Sequence, residues 1–287
     1  MATALKIQTN DKYVTVDGVK TRYIEDGKGP VLLLLHGASL GSSADVFIRN
    51  LPELAKAGFR AIAFDSPGFG LTDNPTDHSA AFRRTFIPKF MDALGLKKVG
   101  FIAHSQAGGT AVQLALADPS RYSHILVLGT GSLLPPLGAK GGESREAAAQ
   151  QRLERRMAAS EPTIADTRKL LEANLFHHDL ITEDELQLRH ERSIGKNFEA
   201  FVTRQDAAES APKKEPAKPM WERLTDLQVP LRLIFGKNDR ANAFERATML
   251  KELRPQLDLH IVDDCKHLVP WDRADEVVRL GVPFLKS

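Results

Sequence analysis

Four short apolar runs punctuate the first half of the chain, at Val31–Leu35 and at residues 61–64, 99–103 and 125–128. Their hydrophobicity is continuous rather than alternating, the pattern of strands buried on both faces of a parallel sheet. Stretches of helical length lie between them, at residues 47–57, 80–94 and 106–117. Strand–helix alternation of this kind predicts right-handed βαβ units. Ahead of them, residues 13–16 and 20–23 flank Asp17-Gly18 and read as an antiparallel hairpin. From Gly131 to about Pro219 the chain is charged, rich in alanine and free of strand-like runs, which predicts a helical insertion. Within it, Thr182-Glu183-Asp184-Glu185 has the spacing of a capping box that opens a helix. The Pro- and Lys-rich stretch 211–219 reads as the return linker. The α/β pattern then resumes, with strands expected at 231–235 and 257–262 and helices at 243–253 and 273–285. The expected fold class is α/β, a mostly parallel sheet flanked by helices. Its core spans residues 1–130 and 220–287, and residues 131–219 form a helical cap.

Composition narrows the function classes. A chain of 287 residues, 42% of them hydrophobic, can bury a sizeable core. Lys+Arg total 39 and Asp+Glu 37, for a formal net charge of +2, with the acidic residues spread along the chain. No clustered positive surface is expected, which argues against a nucleic-acid partner or a polybasic membrane binder. The longest purely aliphatic run, Val31–Leu35, falls far short of the roughly 20 residues that a spanning helix needs. The first residues lack an apolar signal core, and Cys265 is the single cysteine. These features predict a cytoplasmic protein with no internal disulfide, no cysteine-rich zinc site and no metal. The expected partner is a small-molecule substrate, and a homo-oligomer is compatible with the composition.

The stretch 99–109, Val-Gly-Phe-Ile-Ala-His-Ser-Gln-Ala-Gly-Gly, runs from a buried strand through small residues into a helix. A serine on a sharp strand-to-helix turn is held in a strained conformation, so the residues two before and two after it must be small. Ala103 and Ala107 occupy those places around Ser105. The turn aims the amide of Gln106, at the helix N-terminus, at any oxyanion that forms. A serine hydroxyl needs a base and a group that orients the base. Asp239, in Gly236-Lys-Asn-Asp239, and His267, in Asp263-Asp-Cys-Lys-His267, each follow an expected strand, where open α/β sheets place their sites. Asp263 and Asp264 compete with Asp239 for the acid role, although they are too near His267 on one loop to face its ring easily. The turn His36-Gly37-Ala38 follows the first parallel strand and makes the Ala38 amide the second oxyanion donor. His36 reads as a structural hydrogen-bonding residue, and Asp65, in the turn Asp-Ser-Pro-Gly-Phe-Gly, as non-catalytic.

These motifs, spread over almost the whole chain, resemble the α/β-hydrolase superfamily. Within it, Ile125–Gly131, the helical insertion, residues 179–182 and 196–198, and the ending 265–275 resemble the meta-cleavage product hydrolases. The resemblance implies a cofactor-free serine hydrolase that cuts a carbon–carbon bond in diketo acids from aromatic ring cleavage. Ser105, His267 and Asp239 are the implied triad. It also implies that Arg189 binds the substrate's carboxylate, whereas the local pattern alone allows a surface ion pair with Glu185 at i,i+4. Three positions depart from the family pattern: His104 stands for its usual Asn, Ala38 for Gly or Ser, and Leu268 for Trp. His104 and Leu268 are therefore expected beside the substrate. Phe198 and Phe201 share a helical face and read as cap core rather than pocket lining. Trp221 and Trp271 read as packing, and Cys265 as structural. A carboxylesterase or lactonase on the same triad is the rival enzyme, and a non-enzymatic ligand-binding protein the rival class.

Overall fold

The computed structural model describes residues 9–137, 159–210, 218–240 and 242–287. Eight strands form one sheet: β1 (Lys12–Val16), β2 (Val19–Asp26), β3 (Val31–Leu35), β4 (Arg60–Phe64), β5 (Val99–His104), β6 (Tyr122–Leu128), β7 (Leu231–Gly236) and β8 (Asp258–Val262). Their order is β1-β2-β4-β3-β5-β6-β7-β8. The β1–β2 hairpin and the β2–β4 pair are antiparallel, and every other neighbouring pair is parallel.

The continuous apolar runs arise because each inner strand feeds two cores. Leu33, Leu35, Phe101, Ala103, Val127 and Phe235 point to one face, where they meet α2 (Ala80–Ala93), α3 (Gln106–Ala117) and α8 (Ala243–Leu253). Leu32, Leu34, Ile102, Leu126, Leu128 and Ile234 point to the other, against α1 (Leu51–Lys56) and α10 (Ala274–Leu285). Alternation is thus present in space while absent from the hydrophobic pattern.

The chain leaves β3 for β4 on one side and later places β5 on the other. The crevice between the carboxyl ends of β3 and β5 is therefore a topological switch point, where open sheets hold ligands. The turn after β3 carries Ala38, and the turn after β5 carries Ser105. Between β6 and β7 the described chain is helical: α4 (Ile164–Asn174), α5 (Glu183–Glu191) and α6 (Lys196–Ser210), followed by the short α7 (Met220–Arg223). Thr182 caps α5 with the full box, since its hydroxyl accepts from the Glu185 amide while the Glu185 carboxylate takes the Thr182 amide. These helices are tied to the sheet's upper edge by Arg192 to Asp45 (3.1 Å), Lys196 to the Thr72 carbonyl (2.8 Å) and Arg204 to the Gly68 carbonyl (2.7 Å).

Local details differ from expectation for identifiable reasons. The helix expected at 47–57 is a 3-10 turn, Ala44–Phe47, followed by α1 from Leu51. Pro52 in the first turn of α1 lacks an amide and its ring would clash with the carbonyl four residues earlier, so one helix cannot run through. The closing helix forms where it is expected, as α10, and the short α9 (Val269–Asp272) precedes it, set apart by Arg273 at φ −135°. Most of the return linker, 211–217, and part of the insertion, 138–158, lie outside the described residues. No helix among the described residues is long and apolar enough to cross a membrane.

Candidate active site

Ser105 stands between β5 and α3 with φ 56° and ψ −130°, a region that side chains other than glycine seldom enter. Its amide donates to the Leu128 carbonyl at 2.9 Å, which pins the turn to the neighbouring strand. Small residues are needed here for close packing. A Cβ on Gly108 would lie 2.5 Å from Val127 Cγ1, and one on Gly37 2.9 Å from Ser105 Cβ. Gly37 therefore lets the turn after β3 close over the serine.

His267 Nε2 lies 3.0 Å from Ser105 Oγ, and His267 Nδ1 lies 3.0 and 3.2 Å from the two carboxylate oxygens of Asp239. The Asp239 side chain is 2% exposed and that of His267 11%, so the chain of contacts is largely screened from water. A carboxylate on Nδ1 holds the proton there and leaves Nε2 free to accept from the serine hydroxyl. The competing acids face elsewhere: Asp263 is exposed and pairs with Lys237, and Asp264 occupies an exposed left-handed turn position at φ 50°. Cys265 is fully buried, and burial raises its thiol far above the usual range, so it carries no thiolate.

The amides of Ala38 and Gln106 flank Ser105, and neither has a hydrogen-bond acceptor among the described residues. Behind Ala38, His36 Nε2 accepts from the Ser66 amide at 3.0 Å, which leaves Nδ1 to donate to the Gly37 carbonyl at 2.6 Å. The neutral ring thereby braces the turn that carries Ala38. Complete burial pushes its pKa down to about 4. The unfolded chain would take a proton on this ring below about pH 6.5, the folded chain only near pH 4, so the ring's contribution to stability is lost as pH falls through that window. The loss reaches about 3 kcal/mol at the acid end. The unfolding free energy of His36→Gln is therefore expected to fall less between pH 7 and pH 4.5 than that of the wild type, and equal losses would show that the ring is not held neutral.

Asp65 takes the amides of Ala44 (2.6 Å) and Leu71 (2.8 Å) and pairs with Arg22, which is fully buried and also meets Asp11 and Asp45. This network fastens the loops after β3 and β4 to the hairpin. It holds Asp65 away from Ser105.

A cavity of about 190 Å³ opens on Ser105 and is lined by Ala38, Ser39, Leu40, Gln106, Leu170, Phe201, Gln205 and Arg240. Phe201 thus lines the cavity as well as packing with Leu40 and Leu170, because its helix crosses directly above the turn after β3. His104 and Leu268 do not line it. His104 Nε2 donates to the His267 carbonyl (2.9 Å), and burial, with the neighbouring His267 ring, keeps the His104 ring neutral. Leu268 packs into the second core and donates its amide to the Asn174 carbonyl at 3.0 Å. Both positions stand behind His267 because strand residue 104 and the turn after His267 point into the protein. Arg189 is buried, and the surface ion pair with Glu185 does not form, since Glu185 meets Arg49 and caps α5. Arg189 Nη2 donates instead to Ser39 Oγ (3.1 Å) and the Leu40 carbonyl (2.8 Å), outside the lining of this cavity. Trp271 is buried and Trp221 packs against the first core. Ser39, Leu40, Leu170, Gln205 and Arg240 carried no sequence motif of their own; Ser39, next to Ala38, and Arg240, next to Asp239, stood beside one. No group of three or more metal-ligating side chains occurs among the described residues.

A model of the alpha/beta hydrolase fold family matches residues 30–274. A 2-hydroxy-6-oxononadienedioate/2-hydroxy-6-oxononatrienedioate hydrolase of Burkholderia vietnamiensis is 29% identical over 96% of this chain and 95% of its own length. A 2-hydroxy-6-oxo-6-phenylhexa-2,4-dienoate hydrolase of Comamonas testosteroni is 28% identical over 92% of this chain and 91% of its own. Among solved structures, a meta-cleavage product hydrolase of Pseudomonas fluorescens IP01 superposes with a TM-score of 0.76 at 25% identity, covering 96% of this chain and 97% of that one.

Proposed function

The chain belongs to the alpha/beta hydrolase fold family, and from that premise we propose that it is a serine hydrolase that cleaves a carbon–carbon bond in a ring-cleavage-type diketo acid. It is a hydrolase that resembles the meta-cleavage product hydrolases. The observation that carries the mechanism is the run of contacts from Ser105 Oγ through His267 to Asp239 at hydrogen-bond distance, with two unengaged amides beside the serine.

In this reading the enol form of the substrate is first ketonised with His267 assisting, which places a sp³ carbon next to the carbonyl to be attacked. Ser105 Oγ adds to that carbonyl as its proton passes to His267 Nε2, and Asp239 stabilises the imidazolium. The amides of Ala38 and Gln106 hold the oxyanion. When it collapses, the carbon–carbon bond breaks, the departing carbon takes the proton back from His267, and an acyl group remains on Ser105. Water, deprotonated by His267, then releases the acid. The helices between β6 and β7 serve as the cap that closes the site from above.

The same machinery acts on any polarised acyl carbonyl, so an ester or lactone is the competing substrate. The deciding measurement is kcat/KM on a panel of a 2-hydroxy-6-oxo-dienoate, a simple aryl ester and a lactone. The dienoate is expected to be turned over most efficiently. An ester or lactone preferred by tenfold or more would transfer the assignment to an esterase or lactonase, and binding without turnover of any of them would make the protein a receptor.

A further inference from the structure

We propose that Asp272 is a positioning residue for His267: its buried carboxylate joins the turn that carries His267 to the chain leaving helix α4. This rests on the serine-hydrolase reading above, with His267 as the base. The Asp272 side chain has no exposed surface, and a carboxylate that leaves water must fill its oxygens with donors. Asp272 draws them from two separate segments. Oδ2 accepts the amides of Lys266, at 2.7 Å, and Phe176, at 2.8 Å, while Oδ1 accepts the amide of His177 and its ring Nδ1–H, both at 3.0 Å. One of these donors is the residue before His267. The other three belong to residues 176 and 177, just past the end of α4.

The residues on both sides of His267 are also tied to α4 itself. Lys266 Nζ donates to the Glu172 carbonyl at 2.9 Å, and the Leu268 amide donates to the Asn174 carbonyl at 3.0 Å. Carbonyls in the last turn of a helix lack partners within it, and a cation there also meets the negative end of the helix dipole. Asn174 Nδ2 in turn donates to the Leu170 carbonyl at 2.7 Å, and Leu170 lines the Ser105 cavity. The sheet holds the base from its other side, through Asp239 at His267 Nδ1 and through His104 Nε2, which donates to the His267 carbonyl. His267 therefore bridges the sheet edge that carries Ser105 and Asp239 and a helix that borders the ligand space. Asp272 grips both halves of the second link, residue 266 and residues 176–177, with one side chain. Because His267 Nε2 must stay near its 3.0 Å separation from Ser105 Oγ to take the proton, a shift of this turn lowers the rate of the chemical step and leaves the ligand's own contacts in place.

The test is inactivation of the full chain by an ethyl fluorophosphonate: Ser105 Oγ bonds to phosphorus, fluoride leaves and the hydroxyl proton passes to His267, while intact mass counts the labelled fraction. Asp272→Ala is expected to lower kinact about tenfold or more and to leave KI within about twofold. Asp272→Asn, which keeps one oxygen acceptor, should recover part of that loss, and His177→Phe, which removes only the ring donor, should cost less than about threefold. The far-downfield proton resonance of His267 Nδ1–H, identified by its loss in Asp239→Asn, should shift or broaden in Asp272→Ala and move back towards the wild-type position in Asp272→Asn. If Asp272→Ala does not fold, Asp272→Asn carries the same test with an expected drop in kinact of about threefold. A role confined to holding the fold together would lower the melting temperature and the labelled fraction while kinact of the protein that labels, and the resonance, stay at wild-type values; that result overturns the proposal. A loss expressed mainly in KI overturns it as well, since it would place Asp272 in ligand binding. A wild-type protein that takes no label at Ser105 would instead strike the serine-hydrolase reading, and the positioning role with it.

Discussion

Ser105→Ala is expected to lower turnover on the best substrate by roughly 10⁴- to 10⁶-fold while the protein melts at nearly the wild-type temperature. In the proposed mechanism the nucleophile, base and acid act as a unit, so once the oxygen 3.0 Å from His267 Nε2 is gone the remaining groups have nothing to activate. Asp239→Asn should cost about 10⁴-fold, because the amide favours the tautomer with the proton on the wrong nitrogen. Asp263→Asn and Asp264→Asn should change turnover less than twofold, as neither side chain faces the His267 ring. Turnover under single-turnover conditions, with melting curves for each variant, checks the whole set. A Ser105→Ala protein with activity within tenfold of wild type would end the serine-nucleophile mechanism. The same position carries a stability signature. At φ 56° alanine keeps the backbone strain and glycine relieves it, so Ser105→Gly should be more stable than Ser105→Ala by about 1 kcal/mol or more.

The parts of this site that were legible in the chain are those for which local chemistry dictates residue type. A serine in a strained turn needs small neighbours, and Ala103 and Ala107 supply them next to a run that reads as a buried strand. Asp239 and His267 could be placed because strand ends in a parallel sheet all open at one edge, so order along the chain becomes proximity in space. Side-chain direction across that edge was not legible. His104 and Leu268 adjoin catalytic residues in sequence, yet strand alternation and the turn after His267 send them inward, to brace the base rather than meet a ligand. Arg189 has helical spacing to Glu185, but the capping box claims that carboxylate and the guanidinium turns its Nη2 to the Ser39–Leu40 segment. The cavity wall drawn from α4 and α6, Leu170, Phe201 and Gln205, depends on how separate helices settle over the sheet. No periodicity within one helix contains that information.

Gly236→Ala is expected to damage activity and stability together, although it replaces no group of the proposed triad. Gly236 ends β7, three residues before Asp239, and has an ordinary backbone conformation, so the motif Gly-Lys-Asn-Asp reads like a turn in which alanine would serve. The reason for glycine lies across the sheet edge. A Cβ at this position would lie 2.4 Å from the carbonyl oxygens of both Cys265 and Lys266 and 2.7 Å from the carbonyl carbon of Cys265. These are backbone atoms and cannot rotate aside as a flexible side chain would. To restore ordinary contact the turn that leads into His267 must retreat by roughly 1 Å, or β7 must bend and carry Asp239 with it. Either movement stretches the bond from the Asn238 amide to the Cys265 carbonyl (2.9 Å), which holds the acid turn against the base turn. A misplacement of about 1 Å in catalytic geometry costs on the order of 10²-fold in rate. The overpacking itself should cost about 1–3 kcal/mol of stability. Gly131→Ala is the matched control, since the nearest atom to its added Cβ is the end of the flexible Arg246 side chain at 3.6 Å, and it should leave kcat/KM and melting temperature within error of wild type. Should Gly236→Ala match that control in both measurements, the two turns are not in the close register on which the triad depends, and the contact between Asp239 and His267 must be maintained by something other than their approach.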